Sequence, residues 1–243
     1  GHHNVCAKLR FLSSTEDPGF FRDYVVLPAH NLLPLPEHLT LDEGTVAEPL
    51  AVVLHSMKFA QVEVGESVVV FGAGPIGLLT IASLRLSGAG RIYVFEPVSA
   101  RRELALQMGA TAVFDPRSID PEKTIARETG GRGVDLAMDC AAKGGAINQT
   151  LRVTRNAGRV VFTAIPSEAK VEFDFHVARR KELTLYNVRR SNDETGAALR
   201  LIAERPELFR PMLTHTFPLE QVDRAFQMLE KYEDGAGKIL IRL

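Results

Sequence analysis

From about Val64 to Val188 the chain alternates between short β-branched runs and stretches whose apolar residues recur at helical spacing. Ser67-Val68-Val69-Val70-Phe71, bounded by Gly65 and Gly72, predicts a strand buried on both faces. From Pro75 to Ser87 the pattern turns helical, with Ile76, Leu79, Ser83 and Leu86 along one stripe. Arg91 to Glu96 predicts a second strand, and Ser99 is placed to cap a helix that runs to Met108 and stops at Gly109. Further strands are predicted over 111–114, 134–139, 159–164 and 184–188, with helices over 119–128 and 146–154. Repeated β-α-β units predict an α/β fold with a doubly wound parallel sheet, whose ligands sit at the carboxyl ends of the strands.

The flanks differ from this middle. Residues 1 to about 50 hold several prolines between Pro28 and Pro36 and one strand-like run, Asp23 to Leu27. After Asn192 come two helix-like stretches, near 194–203 and 219–232, and a strand-like end, Lys238 to Ile241. Unlike flanks around a regular middle predict a second, partial domain built from both chain ends. The expected division is 1–51, 52–190 and 191–243.

Composition narrows the function classes. With 45% hydrophobic and 24% charged residues the 243-residue chain reads as an ordinary globular protein. A formal net charge of −1 gives no field that would draw it to nucleic acid or an anionic membrane, and no apolar run is long enough to span a bilayer. Cys6 and Cys140 are the two cysteines, which argues against a disulfide framework and fits a reducing cytoplasm.

Candidate chemistry starts at Gly72-Ala73-Gly74-Pro75-Ile76-Gly77. A Gly-x-Gly-x-x-Gly pattern is weak alone, but this one closes a predicted strand and opens a predicted helix. Gly72 permits the tight turn, Gly74 lets a pyrophosphate approach the backbone, and Gly77 lets helix and strand pack closely. Pro75 suits the first helical turn, and the free N–H groups of that turn face the ligand's negative charge. The plain alternative is a strand–helix turn that needs glycine for sterics. Glu96, about 20 residues on, stands where a ribose-binding acid belongs. A carboxylate there would repel the 2′-phosphate of NADP by roughly 1–4 kcal/mol at about 4 Å, a preference for NAD of about tenfold or more. Arg101 reads either as a group on the adenine side or as a helix-surface charge. The unit is therefore a Rossmann domain for NAD.

These residues resemble the zinc-containing medium-chain dehydrogenases, especially the sorbitol (polyol) and threonine dehydrogenase branch. The likeness is carried by Gly1-His2-His3-Asn4-Val5-Cys6, Gly19 to Val25, Glu48-Pro49-Leu50-Ala51-Val52, the glycine turn, Glu96, Arg101, Met108-Gly109-Ala110, Val188-Arg189-Arg190 and Gly237 to Ile241. It implies a GroES-like catalytic lobe around the Rossmann domain, and hydride transfer between NAD and a small secondary alcohol, a polyol or hydroxy amino acid. Zinc would polarise the substrate oxygen. It places Ala164, Ile165, Val188 and Arg190 on the cofactor and Arg189 at the catalytic site. Glu48 falls beside the catalytic zinc and Cys6 at the last structural-zinc cysteine. A homo-oligomer is compatible with the likeness.

The family's other zinc ligands lie upstream of the position matching Gly1, so the resemblance implies an N-terminally truncated chain, inactive alone. A non-catalytic nucleotide-binding fragment and a zinc-free medium-chain reductase stay open as alternatives. Glu48 can equally be a carboxylate at a helix N-terminus. His55, seven residues on, either faces the same cleft or is a satisfied residue between domains. Cys140 reads as a small core residue near the nicotinamide pocket, and Arg179-Arg180-Lys181 as a basic surface.

Overall fold

The computed structural model of the chain describes residues 1–14, 16–143 and 145–243. Two helices precede the sheet: α1, Leu41–Gly44, and α2, Ala47–Ala60. A capping box starts α1, in which the Glu43 N–H donates to the Thr40 hydroxyl and the Thr40 N–H to the Glu43 carboxylate. The alternating region then runs β1 Ser67–Phe71, α3 Pro75–Leu86, β2 Arg91–Phe95, α4 Ser99–Gln107, β3 Ala112–Phe114, α5 Pro121–Glu128, β4 Val134–Asp139, α6 Ala146–Val153, β5 Thr154–Phe162, α7 Phe175–Arg180 and β6 Thr184–Asn187. The chain ends with α8 Thr195–Glu204, β7 Leu213–Pro218, α9 Val222–Lys231 and β8 Lys238–Arg242.

β1 to β6 form one parallel sheet in the order β3-β2-β1-β4-β5-β6. β1 carries buried residues on both faces because side chains alternate across the sheet. Val68 and Val70 join a core with Leu50, Leu78, Leu104 and Ile202 from α2, α3, α4 and α8. Val69 and Phe71 join a core on the other face with Ile125, Leu151 and Ala178 from α5, α6 and α7. The order reverses between β1 and β4, and the turns after both strands open at the same end of the sheet. The C-terminal lobe is small: β7 and β8 pair in parallel, and α9 packs on them through Phe217, Ala225, Met228 and Ala236.

The structure revises several expectations. Asp23 to Leu27 forms no strand; its backbone finds no ladder, Tyr24 is exposed, and Val26 is 98% exposed. Ser99 is the first residue of α4 and not its cap; Val98 is the cap, without a side-chain hydrogen bond. β5 begins five residues before the predicted Arg159, because Asn156-Ala157-Gly158 is absorbed as an irregularity while the Ala157 N–H donates to the Lys181 carbonyl at 2.7 Å. Lys181 is no plain surface charge. Its ammonium donates to the carbonyls of Leu151, Arg152 and Thr154, which closes the end of α6. The expected boundary between residues 51 and 52 falls inside the unbroken helix α2.

Candidate functional site

The glycine turn links β1 to α3 at the point where the strand order reverses. Gly72 has φ +94°, a left-handed conformation that favours glycine. A Cβ on Gly77 would lie 2.0 Å from the Gly72 carbonyl oxygen, so helix and turn touch there as the motif predicts. A Cβ on Gly74 would meet no atom within 4 Å. The space beside Gly74 is thus open, and the first N–H groups of α3, at Ile76 and Gly77, have no partner within the helix. That combination suits an anionic group.

Glu96 follows β2 and is 4% exposed. One carboxylate oxygen accepts the Ala73 N–H at 2.7 Å, and the other accepts the Val98 N–H at 2.9 Å. The acid therefore braces the glycine turn and the start of α4. A carboxylate has about four lone-pair positions, so each oxygen retains one for a ribose hydroxyl. Above these groups lies a cleft of about 570 Å³, bordered by Gly74, Glu96, Arg101, Cys140, Lys143 and Tyr232. This volume falls in the range of small-molecule sites.

The β4 end forms the opposite wall. Asp139 is buried, and one carboxylate oxygen accepts the Ala141 and Ala142 N–H groups at 3.0 and 2.9 Å, while the other has no partner. Burial raises its pKa against those two hydrogen bonds. Its main-chain carbonyl accepts from Thr163 and Ala164. One residue thus ties the loops after β4 and β5 together. The Cys140 thiol is pushed up to about 12 by burial, which makes it an inert neighbour of the cleft.

The other predicted positions scatter. Ala164 follows the loop held by Asp139, whereas Ile165 points to solvent. Arg189 is exposed, and its carbonyl accepts from the Asn4 amide at 2.8 Å. The Arg190 guanidinium lies 3.5 Å from the centroid of the Phe11 ring, so its cation is engaged by an aromatic face. His55 is the satisfied residue between segments: its Nδ1 donates to Glu194 at 3.0 Å and its Nε2 accepts from Asn4 at 3.3 Å. Glu194 is buried, which opposes ionisation, yet hydrogen bonds from Lys58, Asn192 and His55 hold its pKa below the usual carboxylate value.

Zinc does not fit the residues present. Glu48 lies exposed in the first turn of α2 and Cys6 is exposed and unpaired. Among the described residues no three His, Cys, Asp or Glu side chains group to hold a metal ion, the number a catalytic zinc needs from the protein. A second cleft of about 580 Å³ lies away from the glycine turn, bordered by Arg132, Arg155 and Lys181. Its two arginines share the single carboxylate of Asp135, its lysine is held by carbonyls, and no Gly-x-Gly-x-x-Gly turn borders it. Sequence reasoning missed Lys143, Asp139 and Tyr232. Lys143 had a signal, since it follows the strand that faces the glycine turn; Tyr232 had none.

Residues 75–204 match the family described as zinc-binding dehydrogenase. The chain is similar to L-threonine 3-dehydrogenase of Bacillus licheniformis, 30% identical over 99% of this chain and 69% of that protein. It is also similar to D-xylulose reductase A of Aspergillus oryzae, 31% identical over 98% of this chain and 66% of that protein. A crystal structure from Sinorhizobium meliloti, described as a zinc-binding dehydrogenase bound to NADP, is 28% identical. It superposes with a TM-score of 0.89 over 99% of this chain and 70% of its own. The chain thus spans about two thirds of the length of these relatives.

Proposed function

The chain belongs to the zinc-binding dehydrogenase family, and on that premise we propose that it serves an oxidoreductase that passes hydride between NAD and a secondary alcohol, a polyol or hydroxy amino acid. The observation that carries the reading is the open glycine turn at the strand-order reversal, with Glu96 beneath the same cleft. Gly72, Gly74, Ile76 and Gly77 would take the pyrophosphate, and Glu96 the adenine-side ribose. Ala164 and Val188 would stand toward the nicotinamide end. When bound, NAD supplies the hydride acceptor; the chain's own residues bind and orient it.

Glu96 favours NAD over NADP, since a 2′-phosphate would bring a second negative charge to a buried carboxylate. Calorimetric titration of the purified chain is expected to give tighter binding of NADH than of NADPH, by about tenfold. Equal or tighter NADPH binding would remove Glu96 from the ribose, and no binding of either would sink the reading.

Among the described residues no three His, Cys, Asp or Glu side chains come together to hold a metal ion, which favours a second reading, a nucleotide-binding module without catalysis of its own. Under it, zinc supplementation leaves the chain without alcohol oxidation at 340 nm while NADH binding persists. The proposed role for Glu48 and Cys6 at zinc sites needs ligands beyond those the chain brings together. Little or no activity is expected from this chain alone.

A further inference from the structure

The C-terminal lobe meets the cleft at one point. After α9 the chain turns through Tyr232, whose backbone is left-handed at φ +56°, and runs down α4 to β8. Two contacts clasp this stretch to α4. The Arg101 Nε donates to the Ala236 carbonyl at 3.1 Å, and Gly235 lies so near α4 that a Cβ there would be 2.8 Å from the Ala100 Cβ. The clasp delivers the Tyr232 ring to the mouth of the cleft whose floor is Glu96.

The ring is held there by two cations. The Arg101 guanidinium covers it at 4.8 Å from the centroid, and the Lys143 ammonium, from the loop after β4, donates to its hydroxyl at 3.4 Å. Arg101 is buried, so its guanidinium is a fixed backing for the ring. Tyr232 is 44% exposed and borders the cleft. An amphipathic aromatic ring, pre-positioned by a buried cation beside a site for ribose, offers a π surface to a flat heterocycle.

We infer that Tyr232 is a binding residue for the adenosine half of the dinucleotide, stacking against the adenine ring, with Arg101 as its backing. The inference rests on the proposed nucleotide site and assigns it a wall from the C-terminal lobe. Adenine is favoured over nicotinamide because Tyr232 shares the cleft with Glu96, on the ribose side of the glycine turn, whereas the loop after β5 lies across β4.

The test titrates wild type, Tyr232→Ala and Tyr232→Phe with NADH, AMP and nicotinamide mononucleotide. Tyr232→Ala is expected to weaken NADH and AMP by about tenfold or more, the usual loss for one stacked base, and to leave nicotinamide mononucleotide unchanged. Tyr232→Phe keeps the ring and is expected to stay within about threefold of wild type for AMP. Wild type binding AMP with Tyr232→Ala binding it equally well overturns the inference and leaves the nucleotide site standing. Equal losses for AMP and the mononucleotide would mean a general defect in the lobe, and also overturn it. Failure of wild type to bind NADH or AMP overturns both readings together.

Discussion

Replacing Gly74 with valine is expected to cost the fold little, because its backbone is extended at φ −69° and an added Cβ meets nothing within 4 Å. The same side chain would stand where the pyrophosphate must approach. Gly74→Val should therefore abolish measurable NADH binding while costing about 1 kcal/mol or less in urea denaturation, the loss of a tolerated N-cap residue. Gly77→Ala should instead cost the fold, losing about 1–3 kcal/mol of stability because its Cβ would collide with the Gly72 carbonyl. A Gly74 variant that unfolds while its residual folded fraction binds NADH normally would show that the residue serves the turn and not the ligand. This contrast was legible in the residues, since the motif assigns each glycine its task. Glu96 was half legible: its place followed from spacing, but its bonds to Ala73 and Val98 depend on how β1 and β2 align. Tyr232 was illegible, because a ring 136 positions after Glu96 reaches the cleft only through the packing of Ala236 on Arg101.

β4 shows how a strand end stores a constraint. Asp139 closes the strand, and its pKa is raised by burial. A folded value above the unfolded one means that its contribution to stability is whole below about pH 4 and fades as pH rises through the folded value. Asp139→Asn keeps one oxygen for the Ala141 and Ala142 N–H groups and cannot ionise. Its stability relative to wild type should therefore rise between about pH 4 and pH 8 in parallel urea titrations. A difference that falls with pH would contradict the raised value. The boundaries of β1 followed from sequence because a strand covered on both faces carries an unbroken apolar run, Val68 to Phe71, whereas β4 is buried throughout but interrupted by Asp135, whose carboxylate accepts from Ser67 and two arginines. Asp23 to Leu27 reads much the same locally, yet strand identity needs a neighbour, and a neighbour is not a local property. β7 escaped notice for that reason too: its partner β8 lies beyond α9.

Across the whole molecule, apolar surface is uneven. Both sides of the sheet are covered, while Phe20, Phe21, Tyr24, Val26, Leu32 and Leu33 are exposed along the N-terminal stretch. Such a stretch favours association between copies. Light scattering on the purified chain is expected to show concentration-dependent association that Val26→Lys reduces, with the melting temperature within about 2 °C of wild type, since Val26 has almost no contacts to lose. Unchanged association in that variant would place the contact elsewhere. No helix is long and apolar enough to cross a membrane among the described residues. The parallel six-strand sheet was legible from the alternating middle of the chain, whereas the continuity of α2 through residue 51 was not.

The wall that Cys140 and Ala141 give to Gly72 also sets a schedule. A ribosome that has just released the glycine turn must add about sixty more residues, several seconds of work at about 5–20 residues per second, before β4 can pair with β1. Until then the turn has β2 on one side and nothing on the other. The glycine turn is thus an unfinished edge in the growing chain until β4 arrives.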